Sequence, residues 1–477
     1  MFHRIIKYLQ TMSKPLQASL AFVFVSLVNK GITFLTTPLF SRLMSQDEYG
    51  QLSIYNSWLS LVTIIATFQF ATGVFNKAMI KFKEDRDGYT SSMLFLTSMN
   101  TCAVYFVYLC FHDFFNNIIG LDTLMVSLMF VDIFFTSSMS FWSIGNRFKY
   151  NYKSIVYITI SCNCIATLIS VLLVLCLPGN KALLRILGLV FTHVIFYSGV
   201  YVWVINKGKK FIQIEYWGYS IAYNAPLIPH YLSQQILNQS DRIMIYKICG
   251  KADAAVYSLS YQLAAIMQLL TDAIHTSFMP WTYQKLEQGE TSIIGKRAFQ
   301  IELLVGGLSL IFSLYAPEFI FILGGKTYLK AVYIVPPVAM SVVYTTIYSF
   351  FGNIEFYFEK TKLVMVASCI VACANLILNY IFIPRYGFVA AGYTTLICYI
   401  FYSCFHYFFM KRICKDNNIS NPYNGRSMYI VAIIFTFTSV FIIFLYQFYI
   451  QRYFITILLI GLISVYIKKN KNILLGK

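Results

Sequence analysis

Residues 16–40 read LQASLAFVFVSLVNKGITFLTTPLF, an apolar run with a single charge, Lys30, near its middle. A helix rises about 1.5 Å per residue, so about 20 residues cover a hydrocarbon core of about 30 Å. Lys30 then lies roughly 15 Å from either face, too deep for its stem to carry the ammonium easily to water. A lysine at that depth costs on the order of 2.5–3.5 kcal/mol unless it faces a wet cavity or a partner. Ser26, Thr33 and Thr37 share its face of the helix, one or two turns away. The stretch reads as a membrane helix whose polar stripe is centred on a cation.

The surrounding composition agrees. The 477 residues are 58% hydrophobic and 12% charged, where soluble domains carry about 25% charge. The chain is therefore expected to be an all-α integral membrane protein. The net charge of +18 does not mark a nucleic-acid binder, because Lys and Arg gather in alternate segments between apolar runs. Positive loops stay cytoplasmic, so both termini are expected on the cytoplasmic side. The basic start MFHRIIKYLQTMSK is followed by no small-residue cleavage site, so no cleaved leader is expected. The 11 cysteines are scattered in apolar runs without CxxC or metal-ligand spacing, so neither a metal nor a cofactor is expected.

Apolar runs bounded by charges give about 14 transmembrane helices. Six fall in 16–40, 49–74, 91–111, 118–144, 154–177 and 182–205. Six more fall in 218–246, 252–281, 298–316, 329–351, 363–383 and 388–410, and a last pair in 428–445 and 448–467. No long soluble segment separates them, so whatever the chain does, it does within the membrane. Sliding the sequence against itself by about 205 residues aligns three places in register. Asp47–Ser53 meets Ala252–Ser258, Pro178 meets Pro384, and Ser161-Cys162 meets Ser368-Cys369. The plan is two six-helix bundles, 1–205 and 206–414, with two further helices in 415–477. An even number of spans per repeat puts the pseudo-two-fold axis along the membrane normal, with binding where the halves meet.

Polar stripes continue on the repeat-related spans. Span two carries Asn56, Ser60, Thr63 and Thr67. Span seven carries Tyr231, Gln234, Gln235, Asn238, Asp241 and Arg242, and is interrupted by Pro226 and Pro229. Span eight carries Tyr261, Gln268, Asp272 and His275. Such stripes suit a water-filled cavity, although Ser and Thr rows also serve helix packing. Asp241 and Arg242 also read as a structural ion pair. Asp272 and His275, one turn apart, are candidates for binding or relaying an ion, as is Asp132 on span four. His193 and His230 read as packed or capping residues. Gly324-Gly325-Lys326-Thr327 lacks the glycine spacing of a phosphate loop, and no nucleophile or metalloprotease motif suggests catalysis.

Three segments carry a resemblance: Pro38–Leu43 followed by Glu48-Tyr49-Gly50, Ser240–Ile245 followed by Tyr257-Ser258, and Pro384–Gly387 leading to Ala390-Ala391-Gly392. The chain resembles the Wzx-type polysaccharide flippases of the multidrug/oligosaccharidyl-lipid/polysaccharide exporter superfamily. That resemblance implies alternating access and an undecaprenyl-pyrophosphate-linked oligosaccharide moved from the cytoplasmic to the periplasmic leaflet. Lys30 and Arg242 would meet the pyrophosphate. Asn56, Tyr231, Gln235, Asn238, Tyr261 and Gln268 would meet the sugars. Partners would be membrane lipids, a polysaccharide polymerase and a chain-length regulator. A multidrug exporter of the same architecture should hold net acid for its cargo, which Lys30 opposes. A peptidoglycan-precursor flippase would handle nearly the same headgroup, and a polymerase or ligase would need a large periplasmic loop.

Overall fold

The computed structural model describes residues 14–149 and 151–469, without the side chains of 14–23, Ser26, Thr361 and 466–469. Both chain ends, on which the topology expectation bears, and Ser26 of the Lys30 stripe lie outside the described residues. Among those residues every regular element is helical, as the apolar runs require.

The first part comprises α1 (Lys14–Leu43), α2 (Gln46–Thr67), α3 (Phe75–Lys81), α4 (Arg86–Cys110), α5 (His112–Ile119), α6 (Thr123–Phe148), α7 (Tyr152–Cys176) and α8 (Lys181–Gly208). Then come α9 (Ile214–Asn224), a 3₁₀ turn and α10 (Ile228–Ile248). The second part holds α11 (Lys251–Glu287), α12 (Thr291–Leu314), α13 (Ala316–Gly324), α14 (Val335–Tyr357), α15 (Thr361–Tyr386) and α16 (Val389–Asp416). Two more, α17 (Gly425–Ile442) and α18 (Tyr449–Lys469), follow. Each of the fourteen expected spans coincides with a long helix, and the seventh is broken into α9 and α10. Pro226 and Pro229 remove two backbone donors there, so the chain passes through a 3₁₀ turn, Ala225–Leu227, before the helix resumes. Among the described residues, seven helices are long and apolar enough to cross a membrane by length and composition. An eighth joins them if Lys326–Tyr333 and Val335–Tyr357, bent by 49°, form one span.

The chain divides into two compact units, Met1–Gln235 and Ile236–Lys477. In the first, a buried aromatic cluster of Phe75, Tyr89, Phe141, Trp142 and Tyr216 joins α3, α4, α6 and α9. The start of α2 is fixed by a capping box: Ser45 Oγ accepts from the Glu48 N–H, and Glu48 accepts from the Ser45 N–H at 2.8 Å. Glu48 also accepts from the Lys181 N–H at 2.9 Å, tying the start of α8 to the start of α2. Burial alone would raise its pKa; the backbone N–H donors of Lys181 and Ser45 outweigh it and hold the carboxyl below its ordinary value. At the far end of the bundle, Asp85 caps α4 and accepts from Lys210 and Tyr216, both at 2.6 Å. Burial again pushes upward and these two donors, with the Lys210 charge, bring the pKa below its usual value.

In the second unit the core is built by α11, α12, α14, α16 and α17, with Tyr344, Phe350, Phe351 and Tyr423 fully buried. Helices α17 and α18 pack on α12 through two glycines. A Cβ at Gly306 would strike the Phe435 ring, and one at Gly307 would come within 2.9 Å of Ile463. Close approach through small residues is how membrane helices gain contact without a hydrophobic drive between them. Arg452 of α18 adds a two-pronged ion pair to Glu318 of α13, at 2.6 and 2.7 Å, and donates to the Leu314 carbonyl.

Candidate functional site

In the first unit the polar face of α1 is divided. Lys30 is exposed, as is Thr33, while Thr37 is buried. The threonine hydroxyls are spent on their own helix: Thr33 donates to the Asn29 carbonyl and Thr37 to the Thr33 carbonyl. The neighbouring face, with Asn29, Thr33 and Thr36, turns toward α7 and α8. There it lines a cavity of about 150 Å³ together with Asn163, Thr167 and Arg185. Asn56 is exposed on α2, and its carbonyl accepts from Ser60 at 2.9 Å.

Asp132 does not stand alone. Its carboxylate is buried and lies 2.6 Å from His193 Nδ1, so α6 and α8 are joined by a carboxylate–imidazole couple. His193, expected to be a packing or capping residue, is therefore the hydrogen-bond partner of Asp132. The sequence placed these two residues on different spans and offered no periodicity that would link them.

Helix α10 carries the stripe expected of span seven, and its residues diverge. Asp241 is buried and saturated: Tyr257 OH donates at 2.5 Å, Thr395 Oγ1 at 2.6 Å and Asn379 Nδ2 at 2.6 Å. The cluster continues through Asn375, which accepts from Ser240 at 3.0 Å and from Asn379 at 3.2 Å, and through Thr394, which donates to Asn379. Arg242 forms no ion pair with Asp241 among the described residues; its Nη1 donates to Gln239 Oε1 at 2.6 Å and to the Asn238 carbonyl at 2.9 Å. The guanidinium lies 4.7 Å from the centre of the Tyr261 ring. Successive residues on a helix point about 100° apart, so the structural ion pair read from adjacency gives way to two separate environments. Asn238 is exposed and accepts from Tyr399 OH at 3.1 Å; Tyr231 and Gln235 are half-buried.

Asp272 and His275 share a cavity of about 170 Å³ with Gln268, Asn353 and His406, but they do not bond to one another. Asp272 accepts from Gln268 Nε2 at 3.0 Å, and His275 Nε2 lies 3.0 Å from Asn353 Oδ1. Behind them His406 Nδ1 meets Glu355 Oε1 at 2.7 Å, with side chains 1% and 0% exposed. His406 Nε2 and Glu355 Oε2 find no partner among the described residues. Each unit therefore buries one carboxylate–histidine couple, between α6 and α8 in the first and between α14 and α16 in the second. In the repeat these are the fourth and sixth spans of each half. Glu355 and His406 escaped the sequence reading because neither sits in a polar stripe. Asn375 and Asn379 were legible, as amides one turn apart in an apolar run.

No group of three or more His, Cys, Asp or Glu among the described residues could hold a metal ion. Long apolar helices in series, one span broken at Pro226 and Pro229, with polar clusters buried between them, define a multi-pass membrane protein. A family model described as polysaccharide biosynthesis protein matches residues 16–286; the chain belongs to that family. A protein of the Lsg locus of Haemophilus influenzae is 22% identical over 377 residues, covering 76% of this chain and 91% of its own. A membrane protein of the same organism is 23% identical over 350 residues, covering 70% and 81%. Among solved structures, the lipid II flippase MurJ in an inward closed conformation aligns with a TM-score of 0.69 at 15% identity, covering 94% of this chain and 99% of that one. An inward-facing multidrug resistance MATE family transporter of the MOP superfamily aligns with a TM-score of 0.61 at 11% identity, covering 83% and 96%. These structural likenesses establish the fold.

Proposed function

We propose that the chain is a flippase that carries a lipid-linked oligosaccharide across the bacterial inner membrane, from the cytoplasmic to the periplasmic leaflet, for surface polysaccharide synthesis. The observation that carries the reading is Lys30, a cation at the middle of an otherwise apolar helix in a member of a polysaccharide biosynthesis family. A diphosphate crossing hydrocarbon requires a cation on its route, and an ammonium at mid-span would supply one. Arg242 is the second candidate for that anion. Asn56, Tyr231, Gln235, Asn238, Tyr261 and Gln268 are the candidates for hydroxyl and ring contacts with the sugars. Asp132, Asp272 and His275 are the candidates for ion coupling. The termini face the cytoplasm, and a polymerase with its chain-length regulator takes up the product.

The test is complementation. A strain lacking the gene should accumulate unpolymerised lipid-linked repeat units on the cytoplasmic side. Lys30→Arg should restore surface polysaccharide and Lys30→Ala should not, with both variants present at wild-type levels. Normal polysaccharide in the deletion strain would overturn the reading. Loss of viability in its place would support transport of a peptidoglycan lipid precursor, and altered drug accumulation with normal polysaccharide would support drug export.

A further inference from the structure

The cleft between α1, α7 and α8 has no part in the site read from the sequence. Its polar lining differs from an ordinary helix contact in three respects. Asn163 Nδ2 donates one hydrogen to Asn29 Oδ1 at 2.8 Å, which leaves both amide hydrogens of Asn29 and the second amide hydrogen of Asn163 as donors toward the cleft. Thr33 and Thr36 donate their hydroxyl protons to carbonyls of their own helix at 3.1 and 3.2 Å, so their oxygens face outward as acceptors. The Arg185 guanidinium lies over the buried Phe40 ring, 3.7 Å from its centre, with no carboxylate in ion-pair distance among the described residues.

A guanidinium packed on an aromatic ring, with no carboxylate beside it among the described residues, keeps its donor fork for an anion. The cavity of about 150 Å³ holds about five waters at about 30 Å³ each. That is room for a phosphoryl group and part of its hydration shell, and too little for an oligosaccharide.

We propose that this cleft, with Arg185, Asn29 and Asn163 as its donors, binds the phosphoryl group of a lipid. The inference rests on the flippase reading for the identity of that lipid and on geometry alone for the site. From Asn29 to Phe40 the cleft follows α1 for about 16 Å at about 1.5 Å per residue. Lys30 stands beside its inner end and Arg185 at the other. With the N-terminus in the cytoplasm, α1 runs outward and α8 begins at the outer side. Lys30 then receives a diphosphate at mid-membrane and Arg185 holds it on the periplasmic side. Two cations separated along one helix let an anion pass between them without either binding it too tightly to leave.

The experiment uses the purified full-length chain in detergent, titrated separately with undecaprenyl pyrophosphate, undecaprenol and phosphatidylglycerol while bound lipid is counted by native mass spectrometry. Undecaprenyl pyrophosphate should bind and undecaprenol should not. Arg185→Ala should weaken binding about tenfold to a hundredfold, Arg185→Lys less, because it keeps the charge and loses the fork. Asn163→Leu leaves the Arg185–Phe40 packing untouched and should also weaken binding; it serves if Arg185→Ala does not fold. Unchanged affinity in Arg185→Ala or, where that variant fails, in Asn163→Leu overturns the proposal. Phosphatidylglycerol binding through Arg185, with no binding of undecaprenyl pyrophosphate, upholds the cleft as a phosphoryl site and removes the flippase reading of its ligand.

Discussion

Replacing either member of the Glu355–His406 couple should destabilise the second unit far more than replacing both. The two side chains are 2.7 Å apart and at most 1% exposed, in a helical bundle read as membrane-embedded. His406→Leu leaves a carboxylate with no donor, and Glu355→Leu leaves an imidazole whose Nδ1 has lost its acceptor. Removing one partner of a buried pair costs about 3–5 kcal/mol. The couple already carries two unpartnered atoms, His406 Nε2 and Glu355 Oε2, so its net contribution is smaller than its short distance suggests. Removing both polar groups together eliminates the desolvation cost as well as the attraction, and such replacements are often neutral or stabilising. Glu355→Leu/His406→Leu should therefore fall within about 2 kcal/mol of wild type, giving a coupling energy of about 3 kcal/mol or more. The assay is a double-mutant cycle on folded fraction against denaturant in mixed micelles, with pore-free packing judged by thermal aggregation. If the two single changes add to give the double, the couple is two independent residues and the reasoning fails.

Other outcomes follow from particular contacts. Gly188→Ala would put a Cβ 2.7 Å from the Ser170 backbone, so α7 and α8 must part. The protein yield should fall severalfold, whereas Gly199→Ala, with nothing within 4 Å, should leave it unchanged by fluorescence size exclusion. Asp85 has a folded pKa below its ordinary 3.8, so its contribution is complete above the unfolded value and lost as pH falls through the lower folded one. Protease cleavage between α8 and α9 should thus accelerate below about pH 4, and Asp85→Asn should show the faster cleavage at neutral pH. Thr395→Val removes one of three short donors to Asp241 and should cost about 1–3 kcal/mol in the same denaturation assay; no change would mean that water replaces the hydroxyl.

The long helices were legible because hydropathy and charge report directly on the solvent that surrounds them. The break at Pro226 and Pro229 was legible for the same local reason, since proline removes a donor wherever it stands. What escaped were pairings between helices. Asp132 finds His193 and Glu355 finds His406 across separations of 61 and 51 residues, and no spacing rule on one helix contains the other. Arg185 was hidden differently. It sits near a helix start among apolar residues and looks like an ordinary charge at a span end until Phe40 is found beneath it. Asp272 and His275 line one cavity, and their partners there, Gln268 and Asn353, follow from how the helices meet rather than from the spacing of the pair.

The Arg452–Glu318 clamp has a consequence in time. Glu318 is synthesised 134 residues before Arg452, which at about 5–20 residues per second leaves it waiting for about 7–27 s. During that interval the faces of α12 and α13 that α18 covers, Gly307 among them, lack that cover. The second unit must therefore be held open by the insertion machinery or by lipid until the last helix arrives to lock it. Assembly of this protein ends with an arginine closing on a carboxylate made many seconds earlier, and codon changes that stall the ribosome between α14 and α18 should raise degradation of the nascent chain more than stalls before α12.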